Sequence, residues 1–121
     1  MNHNTQTLFR PVGEVELQRI RELKNLRFPP RLPGQPFFYP VCNIEYAEHI
    51  AREWNTRAGG VGFVTQFDVE TQLLRHYPVR VVGSQHTHRE YWIPAEQLES
   101  FNDAIVGAIR IVRRFAKSSA A

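Results

Sequence analysis

The chain has 121 residues, of which 42% are hydrophobic, and its formal net charge at pH 7 is +3. This length and composition fit one globular domain and exclude a largely disordered chain. No apolar run approaches the roughly 20 residues of a membrane-spanning helix, and residues 1–7 lack the apolar segment of a secretory signal. We therefore expect a soluble, cytoplasmic protein without a membrane partner, although an effector exported without a cleaved signal would share these features.

Positive charge is concentrated at the two ends of the chain. Residues 1–31 carry a net charge of +3, residues 32–109 carry −4, and residues 110–121 carry +4. Basic ends can attract phosphate groups, whether these belong to a nucleotide or to RNA. The alternative interpretation is a solvated tail that only aids solubility.

The first half of the chain predicts two strands and two helices around a proline-rich loop. Apolar residues at helical spacing indicate the first helix, and Asn43 is placed to cap the second. Ala47, Ile50, Ala51 and Trp54 are predicted to form the buried face of that second helix. The predicted elements are a strand over 7–12, a helix over 14–26, the loop over 27–36, a strand over 37–41 and a helix from the Asn43 cap through 55.

In the second half, the alternation of residues over 61–69 is the clearest strand signal in the chain. Pro94 is well placed to begin a short helix. The predicted elements are strands over 61–69, 79–82, 90–93 and 108–112, a helical turn over 70–76, a polar loop over 83–89 and a helix over 94–102. This order predicts a single α+β domain with a curved, mostly antiparallel sheet or two small sheets, and with flexible ends at 1–7 and 113–121.

Arg10 and two tyrosines are candidates for ligand binding. An arginine within an otherwise apolar strand needs a partner, so Arg10 is expected to meet either a phosphate or an acid such as Asp68 or Glu90. Tyr39 lies in the second predicted strand, and Tyr46 lies in the first turn of the helix that follows. Each tyrosine ring can pack on the core or stack on a planar ligand.

Glu90 is the candidate for catalysis, because it begins an apolar strand directly after a polar loop. A carboxylate at that position can act as a general base or bind a sugar hydroxyl. The structural alternative is a salt bridge at the strand edge with Arg89 or Arg80.

Histidine spacing gives only a weak indication of a metal site. His86 and His88 lie two residues apart and can share a metal, with His76 not far upstream. A third ligand would have to come from Cys42, His49 or an acid, and no spacing supports one. We therefore predict a polar loop and no metal. Cys42, the only cysteine, is expected to be a buried and unreactive thiol.

Six stretches that together cover most of residues 8–112 carry a resemblance to a known family. They are LFRPVG (8–13), FPPRLP (28–33), FYPV (38–41), EYAEHIAREWN (45–55), VGFVTQFDV (61–69) and EYWIPAEQLESFNDAIVG (90–107). In these stretches the chain resembles the ADP-ribosyltransferase-like superfamily in its small bacterial form, which often carries a label linking ADP-ribosylation and crystallin. The resemblance implies a split, curved, mostly antiparallel sheet with two or three short helices.

The resemblance also implies roles for individual residues. Arg10 matches the first-strand arginine that binds the phosphate or ribose of NAD+, and Tyr39, with Tyr46 as a second choice, would stack on nicotinamide. Thr65 stands where many members have Ser-Thr-Ser, although the chain reads Val-Thr-Gln there. Glu90 matches the catalytic glutamate, and the resemblance implies a catalytic set of Glu90, Arg10 and Tyr39.

His88 completes the expected cofactor-binding set implied by the resemblance. It lies two residues before Glu90, where arginine-modifying members have Glu or Gln. This departure argues against a protein arginine as the acceptor.

The function implied by the resemblance is cleavage of the nicotinamide–ribose bond of NAD+, with ADP-ribose passed to a protein, to RNA or to water. NAD+ would be the substrate, and no metal would be needed. One alternative is a non-catalytic module on the same fold that binds a nucleotide, RNA or a protein. Another is an RNA 2′-phosphotransferase-like enzyme that uses Arg10, His86 or His88 and the basic C-terminus.

Overall fold

The computed structural model describes residues 4–82 and 88–116, which form an α+β fold with seven strands and four α-helices. The strands are β1 (Thr5–Val12), β2 (Phe37–Phe38), β3 (Val61–Glu70), β4 (Arg80–Val81), β5 (Arg89–Glu90), β6 (Ile93–Pro94) and β7 (Ile105–Ala116). The helices are α1 (Glu14–Glu22), α2 (Ile44–Glu53), α3 (Thr71–Leu74) and α4 (Leu98–Asp103), with short 3-10 turns at Arg57–Gly59 and Ala95–Gln97. Within the described ranges, no helix is both long enough and apolar enough to cross a membrane.

The longest strands form an antiparallel sheet in the order β1-β3-β7. Val41 extends this sheet beyond β1, because its backbone exchanges two hydrogen bonds with Phe9, at 2.8 and 2.9 Å. On its other side, Val41 bridges to Glu90 of β5, which pairs with β4. A separate two-stranded sheet joins β2 and β6. Arg10 of β1 and Glu90 of β5 are therefore carried by strands that flank the same short segment.

Four phenylalanines form the centre of the larger core. Phe28, Phe38, Phe67 and Phe101 contact one another with ring centroids 4.8 to 6.2 Å apart, and all four are fully buried. The buried Asn102 fixes the backbone of Phe28, since its Oδ1 accepts from the Phe28 N–H at 2.9 Å and its Nδ2 donates to the Phe28 carbonyl at 3.0 Å. The start of the proline-rich segment is thereby held on the core.

Helix α2 packs on the sheet beside β1 and β3 through a smaller core. As predicted, Asn43 caps it, accepting a hydrogen bond from the Tyr46 N–H at 2.8 Å. Gly62 of β3 permits the close approach of the helix, because a Cβ atom there would lie 2.3 Å from the carbonyl oxygen of Ala51. The position of α2 on the sheet therefore depends on the absence of a side chain at Gly62.

The buried face predicted for α2 is only partly confirmed. Ala47 and Ala51 are fully buried, but Trp54 is 57% exposed. Its ring instead packs against the guanidinium of Arg57, whose central carbon lies 3.8 Å from the ring centroid. A cation–π contact at the surface has replaced the expected core contact.

Helix α1 ends at Glu22, earlier than the predicted 26. The reason lies in Lys24 and Asn25, whose φ angles of 62° and 61° are left-handed and cannot continue a helix. This turn directs the Asn25 carbonyl to β7, where it accepts a hydrogen bond from the Ile109 N–H at 2.7 Å.

Both terminal strands are longer than predicted, so residues 5–7 and 113–116 belong to the sheet rather than to flexible ends. Gly107, with a φ of 81°, and two register shifts against β3 interrupt the alternation of β7, which explains why the sequence indicated only 108–112. The described residues contain four α-helices rather than two or three, because the predicted helical turn over 70–76 includes a short helix in addition to the one predicted over 94–102. Most of the predicted polar loop, including His86, and residues 117–121 of the predicted tail lie outside the described residues.

Candidate functional site

A cavity of about 320 Å³ lies beside the Val41 segment, where β1, α2 and β5 come together. Four residues singled out from the sequence share it, although they come from well-separated parts of the chain. The cavity is lined by Arg10, Pro11, Tyr39, Val41, Tyr46, Ile50, Asn55, Val82 and Glu90. Its wall is therefore mainly apolar, with a guanidinium, two phenols, an amide and a carboxylate as its polar groups, which is typical of a small-molecule site.

Glu90 is 7% exposed, and each of its carboxylate oxygens accepts a hydrogen bond. The Tyr46 hydroxyl donates to Oε1 at 2.8 Å, and the Trp92 indole N–H donates to Oε2 at 2.7 Å. Both donors are neutral, so they orient the carboxylate without cancelling its charge. Each oxygen retains further acceptor capacity for a ligand hydroxyl. This arrangement replaces the strand-edge salt bridge with Arg89 or Arg80 that was the structural alternative.

The Tyr46 hydroxyl is bonded to Glu90, and one face of the Tyr46 ring is covered by another ring. Its ring stacks on His88 with centroids 4.3 Å apart and planes at 11°, and His49 stacks beyond His88 at 6.0 Å. Burial and the hydrogen bond to Glu90 raise the pKa of the Tyr46 hydroxyl, which therefore remains a donor at neutral pH. His88 thus supports the cavity from behind Tyr46 and is not among the residues that line it.

Arg10 is 8% exposed and is paired with Glu16 of α1, not with Asp68 or Glu90. Its Nε donates to Glu16 Oε2 at 2.6 Å and its Nη2 to Oε1 at 2.9 Å, which is a bidentate pair. The third nitrogen, Nη1, makes only a long contact of 3.4 Å with the Tyr39 carbonyl. The guanidinium also lies 4.5 Å from the centroid of the Phe38 ring. Arg10 is therefore fixed on the edge of the core. Nη1 is the nitrogen with the longest hydrogen bond and is the one best able to bind a ligand.

Tyr39 lies among aromatic rings at the rim of the cavity. Its ring is perpendicular to that of Trp92, with centroids 5.8 Å apart, and it is tilted against Phe37 at 6.2 Å. The central guanidinium carbon of Arg80 lies over the Trp92 ring, 4.4 Å from the ring centroid. These edge contacts leave Tyr39 better placed than Tyr46 to stack on a planar ligand.

Thr65 is not brought to the cavity. Its side chain is fully buried, and its hydroxyl donates to the Arg10 carbonyl at 2.9 Å. Antiparallel pairing places Thr65 directly opposite Arg10 in the sheet, so this threonine supports the arginine's strand and does not reach a ligand.

Sequence reasoning missed three residues that shape the site: Trp92, Glu16 and Asn55. Trp92 alternates with the buried Tyr91 and Ile93, so the alternation could have placed it on the side of Glu90. Glu16 lies in the first turn of α1, and the need of Arg10 for a nearby acid was the signal that could have found it. Asn55 lines the cavity, and its Oδ1 is buried without a hydrogen-bond partner among the described residues.

The described residues bring no group of metal ligands together. In the part of the chain that the structure describes, no three His, Cys, Asp or Glu side chains are grouped to hold an ion. Cys42 is half-buried, and burial raises the pKa of its thiol, which disfavours the nucleophilic thiolate.

A larger groove of about 770 Å³ lies beside α1 and contains none of the residues predicted for NAD+. Its basic lining comes from Arg19, Arg21 and Arg114. The neighbouring Arg113 is paired with Glu48 of α2 at 3.1 Å. We place the candidate site in the smaller cavity, because a buried carboxylate, a fixed guanidinium and aromatic rings converge there.

Comparison of the chain with protein-family models, with curated proteins and with solved structures found no match.

Proposed function

We propose that the cavity beside Val41 binds the nicotinamide riboside portion of NAD+ and that the protein cleaves the bond between nicotinamide and ribose. One observation carries this proposal. Arg10, Tyr39, Tyr46 and Glu90, which the family resemblance selected individually, all line the same cavity of about 320 Å³. Convergence of these separately chosen residues supports a shared role, since unrelated structural residues need not meet.

In this reaction the C1′–N bond breaks and nicotinamide leaves as a neutral molecule with the bonding electron pair. The ribose passes through an oxocarbenium-like state, and an oxygen or nitrogen of the acceptor then forms the new bond to C1′ and loses its proton. Positive charge on the ribose is larger in the transition state than in NAD+, where it resides on the pyridinium ring. A fixed carboxylate close to the ribose therefore stabilises the transition state preferentially.

Each side chain of the site has its own role in this proposal. Glu90 would accept a hydrogen bond from a ribose hydroxyl and stabilise the developing cation, while Tyr46 and Trp92 hold it in place. Tyr39 would stack on the nicotinamide ring. Arg10 would donate from Nη1 to a ligand oxygen, since its other two nitrogens are bonded to Glu16.

The test is calorimetric titration with NAD+, with released nicotinamide quantified in the same samples. We expect the wild-type protein to release nicotinamide, and Glu90→Gln to lower the rate by about two orders of magnitude or more. The amide keeps the shape of the carboxylate, so affinity for NAD+ should change far less than the rate. Glu96→Gln is the matched control, because Glu96 is exposed and lies outside the cavity.

Two results would overturn the proposal. One is a wild-type protein that releases no nicotinamide at about 1 mM NAD+, the upper end of ordinary KM values. The other is an unchanged rate in Glu90→Gln.

A non-catalytic nucleotide-binding module is the second candidate, and a different observation favours it. The charged side chains of the site already have partners within the protein, since Arg10 is paired with Glu16 and both oxygens of Glu90 accept hydrogen bonds. Such a site can bind without reacting. Saturable NAD+ binding without nicotinamide release would select this function over catalysis.

A further inference from the structure

A second cavity, of about 310 Å³, lies beside the start of α1 and against the proline-rich segment. Glu16 lines this second cavity, and its partner Arg10 lines the first. The Arg10–Glu16 pair therefore stands between two spaces of similar size. The second cavity is lined by Gly13, Glu14, Val15, Glu16, Arg19, Pro29, Pro30, Arg31, Leu32 and Gln35.

Arg31 is the unusual residue of this cavity. Its Nε donates to the Phe37 carbonyl at 2.9 Å, which fixes the side chain. Burial, followed by the nearby charge of Arg10, lowers the pKa of the Arg31 guanidinium. Among the described residues, no carboxylate forms an ion pair with it.

The local charges do not balance. The charge of Arg10 disfavours the charged form of Arg31, and the Glu16 carboxylate acts in the opposite direction. Arg10 already engages both Glu16 oxygens. Two further charged residues line the cavity: Glu14, whose Oε1 accepts from the Val61 N–H at 3.1 Å, and Arg19. A half-buried guanidinium without a counter-ion is unfavourable, and an anion in the cavity would compensate it.

We propose that Arg31 binds a phosphate group of the ligand in this second cavity, and that Glu16 sets the strength of that binding through its own negative charge. The planar fork of an arginine suits the oxygens of a phosphate or diphosphate. This inference rests on the proposed function, since NAD+ carries a diphosphate next to its nicotinamide ribose. The ligand would then extend from Glu90, past Arg10, to Arg31.

The experiment is titration with inorganic pyrophosphate at constant ionic strength. Arg31→Gln should weaken binding roughly tenfold or more, the usual effect of losing a hydrogen bond to a charged group. Arg75→Gln is the matched control, because Arg75 is exposed on the turn after α3 and lines neither cavity. Its affinity should stay close to that of the wild type. Glu16→Gln should tighten binding by about threefold, since it removes one nearby negative charge.

Arg31→Lys keeps the positive charge but not the planar fork, and it provides the check on folding. We expect it to retain an affinity between those of wild type and Arg31→Gln, with an unchanged thermal unfolding midpoint. Equal pyrophosphate affinity in Arg31→Gln and Arg75→Gln would overturn the proposal, as would the absence of pyrophosphate binding by the wild type.

These outcomes are separable from those of the proposed function. Pyrophosphate has no glycosidic bond, so its binding is independent of cleavage. Pyrophosphate binding that depends on Arg31, without nicotinamide release, would support this inference and overturn the proposed cleavage. Nicotinamide release with equal pyrophosphate affinity in all variants would do the reverse.

Discussion

The larger core packs four phenylalanine rings against one another, whereas the wall of the cavity holds charged and polar groups in place by hydrogen bonds. Phe28 has no exposed surface, and its ring packs against the rings of Phe38 and Phe67. Glu90 is almost as deeply buried, yet its immediate partners are a phenol and an indole N–H. The comparison suggests that stability depends mainly on the first region and that ligand chemistry depends on the second. The predictions below test whether the two regions can be separated.

The largest effect is expected in the core. Phe28→Ala should lower the free energy of unfolding by about 3–5 kcal/mol, because it removes a buried ring and leaves a cavity beside Phe38 and Phe67. Urea unfolding followed by circular dichroism measures this loss. The control is Leu26→Ala, which removes a side chain that is 50% exposed and should cost less than about 0.5 kcal/mol. Similar losses in the two variants would contradict the assigned core.

The second prediction changes the wall of the cavity and leaves the larger core intact. Tyr46→Phe removes one donor to the Glu90 carboxylate, so nicotinamide release should fall by about tenfold, equivalent to roughly 1.4 kcal/mol. The free energy of unfolding should change by only about 1 kcal/mol, since the cavity admits water to the freed oxygen.

Tyr77→Phe is the control for Tyr46→Phe. The Tyr77 hydroxyl donates to Gln97, and Tyr77 is not part of the cavity wall. Loss of the Tyr77 hydroxyl should leave the rate of nicotinamide release unchanged. Equal rates in the two variants would show that Glu90 does not depend on Tyr46.

The smallest effect concerns alkaline pH. The folded-state pKa of Tyr46 is raised above its ordinary value of 10.0, so its stabilising contribution is fully present below about pH 10 and is lost as the pH rises through the folded value. The difference in unfolding free energy between wild type and Tyr46→Phe should therefore narrow above pH 10. Urea unfolding from pH 8 to 11 measures it, and a constant difference would contradict the assigned hydrogen bond.

The α+β class, the long strand β3 and the cap of α2 were predictable because each depends on local pattern. The alternation of residues along β3 indicates that one face of the strand is buried. Asn43 accepts a hydrogen bond from a backbone N–H in the first turn of the helix that it caps. Arg10 and Glu90 were conspicuous for a related reason, since a charged residue in an apolar strand must have a partner. These signals require only a few neighbouring residues.

The parts that were not predictable depend on distant contacts. The left-handed turn at Lys24 and Asn25 is explained by the hydrogen bond that the Asn25 carbonyl accepts from the distant Ile109 N–H. The identity of the partner of Arg10 depended on where α1 places Glu16. Thr65 looked like a ligand contact because its strand position was right, but its hydroxyl is used by the backbone opposite. Register and helix placement decided these cases.

Gly62 has a consequence that extends beyond the packing of α2. The helix it admits carries Tyr46, and Tyr46 holds one oxygen of Glu90. A methyl group at position 62 would collide with the Ala51 carbonyl and lift the helix, so the phenol would withdraw from the carboxylate. The orientation of the proposed catalytic group thus depends on the glycine against which α2 packs, and a residue that touches no ligand takes part in defining the site.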